Sequence, residues 1–289
     1  MLSYQHIYHA GNFADVHKHV LLVRTLMALK NKNPRLTVLD THAGRGLYDF
    51  ASPEALKTEE FRNGIAGLWE RMDAPSPISD YLKLVGKYNP EGALAAYPGS
   101  PLIVRDLLRP TDQMIFAELH PGEFEALQAV FAGVKNADLV KADGFDVLAA
   151  RMPPADRRGL VIIDPSYEIK TDYVQVPRHI HVAWKKWPKG TFFLWYPILD
   201  SAPHETMLLN LRKTTVRDIL VSEVRMEKMP GEGFAMYGSG VAVVNPPLPE
   251  TAVQEITHHV AAHLPAKATA DVFWLDNMKI NADTGELER

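Results

Sequence analysis

The sequence predicts an α/β fold: a mostly parallel sheet with an antiparallel edge, helices on both faces, and a small inserted helical subdomain. Three observations carry this reading. Short apolar runs recur along the chain with helical patterns between most of them, the arrangement that builds a parallel sheet. The last two runs have no helix-length gap between them and so pair antiparallel. The stretch from Leu47 to Tyr97 is too long for a loop and must hold structure of its own.

In order, the first strand is Leu36 to Asp40. The insertion follows, with Leu68 and Trp69, then Ile78, Tyr81, Leu82, Leu84 and Val85, at helical spacing. Residues 1–46 and 98–289 thus form the main domain and 47–97 the inserted subdomain. A crossover helix starts at Ser100-Pro101, with Ser100 as N-cap and proline in the first turn. Further strands lie near Met114 to Glu118, Asp138 to Lys141, Leu160 to Asp164, Thr191 to Tyr196, Val216 to Val224 and Gly240 to Val244. Leu127, Val130 and Phe131 share a helical face after Pro121, as do Met207, Leu208 and Leu211 after Pro203. Asn245-Pro246-Pro247-Leu248 reads as a strand-ending turn.

Composition narrows the class. The chain has 289 residues, 46% hydrophobic and 23% charged, enough for one large core. With no cysteine, disulfides, Cys-ligated zinc, iron-sulfur clusters and thiol catalysis are excluded. The opening residues lack a basic segment followed by an apolar one, and no run of 18 apolar residues occurs, so the chain is expected in the cytoplasm, without a membrane partner. A formal net charge of -4 means that binding a polyanion needs a local basic face. Arg157-Arg158, Lys185-Lys186-Trp187-Pro188-Lys189 and His17-Lys18-His19 are candidates, each of which also reads as ordinary solvated surface.

The chemistry collects at strand ends, which open onto the ligand crevice of an α/β sheet. Asp164-Pro165-Ser166-Tyr167 follows the apolar run Leu160 to Ile163, placing an acid to accept from an exocyclic amino group and an aromatic ring to stack on a flat base. After the first strand, Asp40-Thr41-His42-Ala43-Gly44-Arg45-Gly46 lets a backbone turn approach a ligand closely, but it is no GxGxxG phosphate cradle, because His42 holds the first glycine position. Glu118 is placed to hold the hydroxyls of a ribose. Asp143 can accept from an adenine amino group, beside Gly144, which leaves room. An acid at a strand end is also a common turn former or helix cap; four in register are harder to explain that way.

Together these resemble the motif series of class I S-adenosylmethionine-dependent methyltransferases. The opening Met1-Leu2-Ser3-Tyr4-Gln5-His6, with His9-Ala10-Gly11-Asn12-Phe13-Ala14-Asp15, Lys18-His19, Leu39 to Gly44, Tyr97-Pro98-Gly99-Ser100-Pro101, Lys141 to Phe145 and Leu194-Trp195-Tyr196-Pro197, is similar to the RlmJ family. Those enzymes methylate N6 of an adenine in bacterial 23S ribosomal RNA. The resemblance runs from Met1 to about Pro247; the tail beyond is uninformative. It implies a Rossmann-like sheet and S-adenosylmethionine as cofactor, held by His19, His42, Ser100, Glu118, Asp143, Gly144 and Asp164. It implies catalysis by Asp164, with Pro165 and Tyr167, and contacts to the RNA from Tyr4, His6, Lys18 and Tyr167. The expected partner is naked or early-precursor 23S ribosomal RNA, bound by a monomer.

Two points qualify this. His6, His9, His17 and His19 could suggest a metal site, but no acid-histidine signature of a hydrolase accompanies them, and His, Lys and Asn here suit RNA phosphate and cofactor contacts; no metal is expected. Ser166 stands where the family usually has a second proline, which loosens the turn; retained activity at reduced rate is expected. The alternatives are an adenine-N6 methyltransferase acting on DNA, a glutamine-N5 methyltransferase, and a non-catalytic nucleic-acid-binding factor for use of external DNA.

Overall fold

The computed structural model describes residues 4–69, 76–227, 236–281, 284 and 286–288. Met1 to Ser3 of the opening motif and residues 70–75 of the inserted segment lie outside the described residues.

The chain enters helix α1 (Phe13–Lys30) through Asn12, whose side chain accepts the Asp15 N–H at 2.9 Å. This helix is buried on nearly every side, because it runs between β-sheet and helices. Strand β1 (Thr37–Asp40) follows, then β2 (Leu47–Asp49), α2 (Pro53–Thr58), α3 (Ile65–Trp69), α4 (Ser79–Gly86) and β3 (Ala96–Pro98). Next come α5 (Ser100–Leu107), β4 (Gln113–Ala117), α6 (Pro121–Val130), β5 (Ala137–Val140), α7 (Gly144–Arg151) and β6 (Gly159–Ile163). Then come α8 (Asp172–Lys186), β7 (Thr191–Leu199), α9 (Pro203–Arg212), β8 (Ile219–Met226), β9 (Met236–Val244), α10 (Glu250–His263) and β10 (Ala268–Trp274), followed by the short antiparallel pair β11 (Lys279–Ile280) and β12 (Leu287–Glu288).

The main sheet has eight strands in the order β10-β8-β9-β7-β6-β1-β4-β5. From β5 to β7 every pairing is parallel, and β9 runs against both β7 and β8. Alternate residues feed opposite faces, as the pleat requires: Val38, Leu160 and Ile162 enter one core with α1 and α5, while Leu39, Val161 and Ile163 enter the other with α8 and α9.

Two expectations are corrected. The late strands pair antiparallel, but β9 lies inside the sheet, and the antiparallel edge is β10, drawn from the tail read as uninformative. Its first residues, Ala268-Thr269-Ala270-Asp271, form no apolar run, so an edge strand half in water left little pattern. The crossover helix α5 is capped by Gly99, with Ser100 as its first residue.

The segment between β2 and β3 is closed at its base by their pairing, Leu47 opposite Pro98 and Asp49 opposite Ala96. Its Ile65, Leu68, Tyr81 and Val85 join the same core as α1. Gly64 makes this docking possible: the Ile65 N–H donates to the Gly11 carbonyl at 2.9 Å, and a Cβ on Gly64 would lie 2.2 Å from that oxygen. No described helix is long and apolar enough to cross a membrane.

Candidate functional site

Because the central strands run one way, their carboxyl ends share one edge. Register sets the acids at one level: Asp40 lies opposite Phe116 and Ile162, so Glu118 and Asp164 each sit two residues beyond that line, and Asp143 follows β5. A cleft of about 1350 Å³ opens there. Its lining includes Tyr4, His6, Lys18, His19, His42, Ser100, Glu118, Asp143, Gly144, Asp164, Pro165 and Tyr167, each a position singled out from the sequence.

At one end, Glu118 is clamped by backbone: Gly44 N–H donates to Oε2 at 2.8 Å and His120 N–H to Oε1 at 2.7 Å. Burial raises its pKa and those two N–H groups oppose the rise. Each oxygen keeps a lone pair for a diol. Asp143 caps α7 through Oδ1, accepting from Phe145 N at 2.8 Å and Asp146 N at 3.3 Å; its second oxygen is left to a ligand's donor. His42 meets Phe145 edge-on at 5.3 Å, and Phe145 stacks on His179 at 4.2 Å, an aromatic wall beside Asp143. Burial pulls the His42 pKa down to about 4, with Asp164 and Asp143 opposing, so the ring is neutral at physiological pH. Gly144 was expected to leave room for a ligand. Instead its missing Cβ makes way for the chain: that atom would lie 1.9 Å from the Thr41 carbonyl oxygen.

At the other end, Lys18 is buried between two carboxylates, 2.7 Å from Asp164 Oδ2 and 2.8 Å from Asp15 Oδ1. Burial works against its charge, but those two acids outweigh it and raise its pKa. His6 Nε2 lies 2.8 Å from Asp15 Oδ2, and its Nδ1 lies 2.9 Å from the Tyr4 hydroxyl. Tyr4 stacks on His9, which holds Glu60 at 2.9 Å, and Asn12 donates to the same Glu60. His19 Nδ1 lies 2.7 Å from the Tyr97 hydroxyl.

The expected roles of Lys18 and Tyr167 change. Lys18 cannot serve as a surface phosphate contact, and His17-Lys18-His19 is no basic face, since all three are buried. The rings of His17 and His19 have interior partners, Ser222 and Ser239 for the first and Tyr97 for the second. Tyr167 is only 6% exposed, in the left-handed region at φ 55°, its ring packed 4.6 Å from Tyr173 and its hydroxyl donating to the Trp195 carbonyl at 2.8 Å. The other two basic runs precede β6 and β7, at the sheet edge opposite the cleft; Arg158 is spent on the carbonyls of Leu29 and Pro34.

Several site residues escaped the sequence reading. Trp195, midway along β7, lies with its ring 5.5 Å from Lys18 Nζ and donates its indole N–H to Ser239 at 3.0 Å. Asp15 had a signal: it sits three residues before Lys18 and four before His19, one face of a helix. Asp40, by contrast, is one of the four strand-end acids that the sequence places; its surroundings are what the fold adds. It is fully buried beside the cleft, accepts the His42 N–H at 3.2 Å, and its Oδ2 makes no hydrogen bond. Burial pushes its pKa up to about 7, with Ser100 lowering and Asp164 adding to the shift.

The Asp40 shift has a measurable consequence. The native state holds a proton that the unfolded chain, with a carboxyl near about 3.9, has already released, so stability falls as pH rises between those values. Little is lost below about pH 4, and on the order of 2–4 kcal/mol above about pH 7, at about 1.4 kcal/mol per pKa unit. Asp40→Asn should flatten this slope in denaturant titrations at pH 5 and pH 8; identical slopes in parent and variant would remove Asp40 from the account.

The carboxylate set, with no phosphate cradle, could hold a cationic sulfonium nucleoside, with Glu118 facing its ribose and Asp143 its adenine amino group. Comparison with known proteins points the same way. Residues 33–276 match the family model described as Ribosomal RNA large subunit methyltransferase D, RlmJ. The Escherichia coli protein named Ribosomal RNA large subunit methyltransferase J is 42% identical over 248 residues, 86% of this chain and 88% of its own. Its namesake in Haemophilus influenzae is 39% identical over 279 residues, 95% and 99% of the two chains. Among solved structures, a Legionella pneumophila protein is 33% identical and superposes with a TM-score of 0.85, covering 92% of this chain and 98% of that one.

Proposed function

This chain belongs to the RlmJ family of large-subunit ribosomal RNA methyltransferases, and on that premise we propose that it transfers a methyl group from S-adenosylmethionine to N6 of an adenine flipped out of 23S ribosomal RNA. The observation that carries the reading is the cleft itself, where strand-end acids suited to a nucleoside meet a lysine-held carboxylate, Asp164.

When bound, the cofactor supplies an electrophilic methyl group. The chain's own task is to aim a poor nucleophile, because the lone pair of an adenine amino group is delocalised into its ring. Lys18 occupies Asp164 Oδ2, so Oδ1 is the oxygen offered to the amino N–H. Accepting that N–H, with a neighbouring backbone carbonyl accepting the other, favours a pyramidal nitrogen whose lone pair points at the methyl group, and positioning of this kind supplies much of the rate. Asp164 need not remove a proton beforehand, since the nitrogen is cationic after transfer and releases it then. His19, His42, Ser100 and Gly144 complete the cofactor wall. Tyr4 and His6 close the cleft near Asp164.

The flipped base loses its stacking and must regain it. Trp195, half-buried on the cleft wall, is the ring better placed for this than the packed Tyr167, a contact worth about 1–3 kcal/mol per base in single-strand binders. The proposed active unit is a monomer. Flipping favours naked or early-precursor RNA, in which the target helix is still accessible.

The test is to incubate the protein with radiolabelled S-adenosylmethionine and protein-free 23S ribosomal RNA from unmodified bacteria, then digest. Label in N6-methyladenosine is expected. Equal turnover on a DNA strand of the same sequence would transfer the reading to DNA, because only RNA presents 2'-hydroxyls. No label on either, with the cofactor bound, would leave a binding factor.

A further inference from the structure

Asp15 joins two arms of the reacting end through its two carboxylate oxygens. It is 2% exposed, in the first turn of α1. Oδ1 accepts from Lys18 Nζ at 2.8 Å, with His19 Nε2 4.0 Å away; Oδ2 accepts from His6 Nε2 and from the Gly11 N–H, both at 2.8 Å. Through Lys18 it reaches Asp164, and through His6 it reaches Tyr4. Burial opposes the Asp15 charge, but its charged and hydrogen-bonding neighbours outweigh it, so its pKa lies well below the usual carboxylate range.

We propose that Asp15 is a positioning residue for methyl transfer, holding Lys18 away from full engagement with Asp164 and fixing the His6 proton on Nε2 so that Nδ1 receives the Tyr4 hydroxyl. This rests on the reading of the cleft given above. Its physical basis is a division of one cation between two acids. Lys18 shared with Asp15 leaves Asp164 an oxygen with enough charge to take the substrate amino N–H; Lys18 given wholly to Asp164 competes with that N–H. On the other arm, a carboxylate facing Nε2 selects the tautomer, as outer partners do for catalytic and metal-bound histidines. A plain helix-capping acid needs only a backbone N–H at the helix start, whereas Asp15, besides the Gly11 N–H, engages with both oxygens side chains that line the cleft.

Asp15→Asn separates these roles. The asparagine oxygen can keep Gly11 and His6, which turns its NH2 toward Lys18, so the Lys18 hold is lost while the helix start survives. At saturating cofactor and RNA, kcat should fall about 10- to 100-fold, the range for partners of site residues, with KM for RNA and calorimetric cofactor affinity unchanged. Nitrogen NMR of the parent, with His6 assigned from a His6→Gln variant, should show the proton on Nε2. Parent-like kcat in a folded Asp15→Asn, or a parent His6 carrying a proton on Nδ1, overturns the proposal. If the parent methylates no RNA, the functional reading has failed, and the tautomer still decides the Asp15 arm. A variant that melts early, with kcat and KM otherwise as in the parent below its transition, assigns Asp15 to the fold alone and also overturns it.

Discussion

Asp164→Ala should abolish methyl transfer, by about 10³-fold or more, while the protein still folds and binds cofactor. General acid-base and positioning groups commonly contribute about 10²–10⁴ each, and Asp164 combines acceptance of the amino N–H with placement of the nitrogen. The fold should tolerate the loss, because the Asp164 side chain is 14% exposed at a strand end and Lys18 retains Asp15 as partner, so no buried charge is left alone. Asp164→Asn should fare nearly as badly. Its single oxygen is claimed by Lys18, and the NH2 that replaces Oδ1 faces the substrate's own donor. Single-turnover assays with both variants at saturating cofactor check this, with circular dichroism and calorimetry as controls. Substantial turnover by the alanine variant would remove Asp164 from the chemistry.

Gly144→Ala should damage both stability and cofactor binding, although it adds one methyl group. The new Cβ would sit 1.9 Å from the Thr41 carbonyl oxygen and 2.6 Å from its carbon, both backbone atoms that cannot swing aside. Either α7 lifts from the β1 loop or the loop shifts, and each moves Asp143 relative to His42 across the cleft. Overpacking typically costs about 1–3 kcal/mol and sometimes more, which at about 2–4 °C per kcal/mol for a chain of this class predicts a fall in Tm on the order of 5–10 °C. Cofactor affinity should drop at least about tenfold, the equivalent of about 1.4 kcal/mol. Gly122→Ala is the matched control: in α6 its Cβ would meet only the His120 ring at 3.5 Å, ordinary contact, and stability should hold or rise slightly. Parent-like melting and binding in Gly144→Ala would show that the α7 junction is more yielding than its packing indicates.

Asp40 and Asp143 show how much of the site is legible in a chain. Each ends or follows a strand whose apolar residues announce it, and parallel strands put such acids on one edge. The same logic recovers Glu118 and Asp164. It misreads Gly144, because a glycine serving a ligand and a glycine serving a neighbouring carbonyl look alike until Thr41 is in place. Strand β10 was missed for a related reason: an edge strand covered on one side carries a weak pattern, and its partner β8 lies far back in the chain.

The amino-acid sequence by itself determined the alternation of strands and helices and the row of acids at the strand ends, because each follows from periodicity and punctuation within a few residues. Tertiary structure decided what those residues face. His17-Lys18-His19 reads locally as a basic surface, yet Lys18 meets Asp164 146 positions away and His17 meets Ser222 205 positions away. Tyr167 reads as an open stacking ring, yet the Trp195 carbonyl and Tyr173 hold it. Burial of a polar side chain depends on partners that compensate its desolvation, and when those partners come from distant strands only the folded chain brings them into contact.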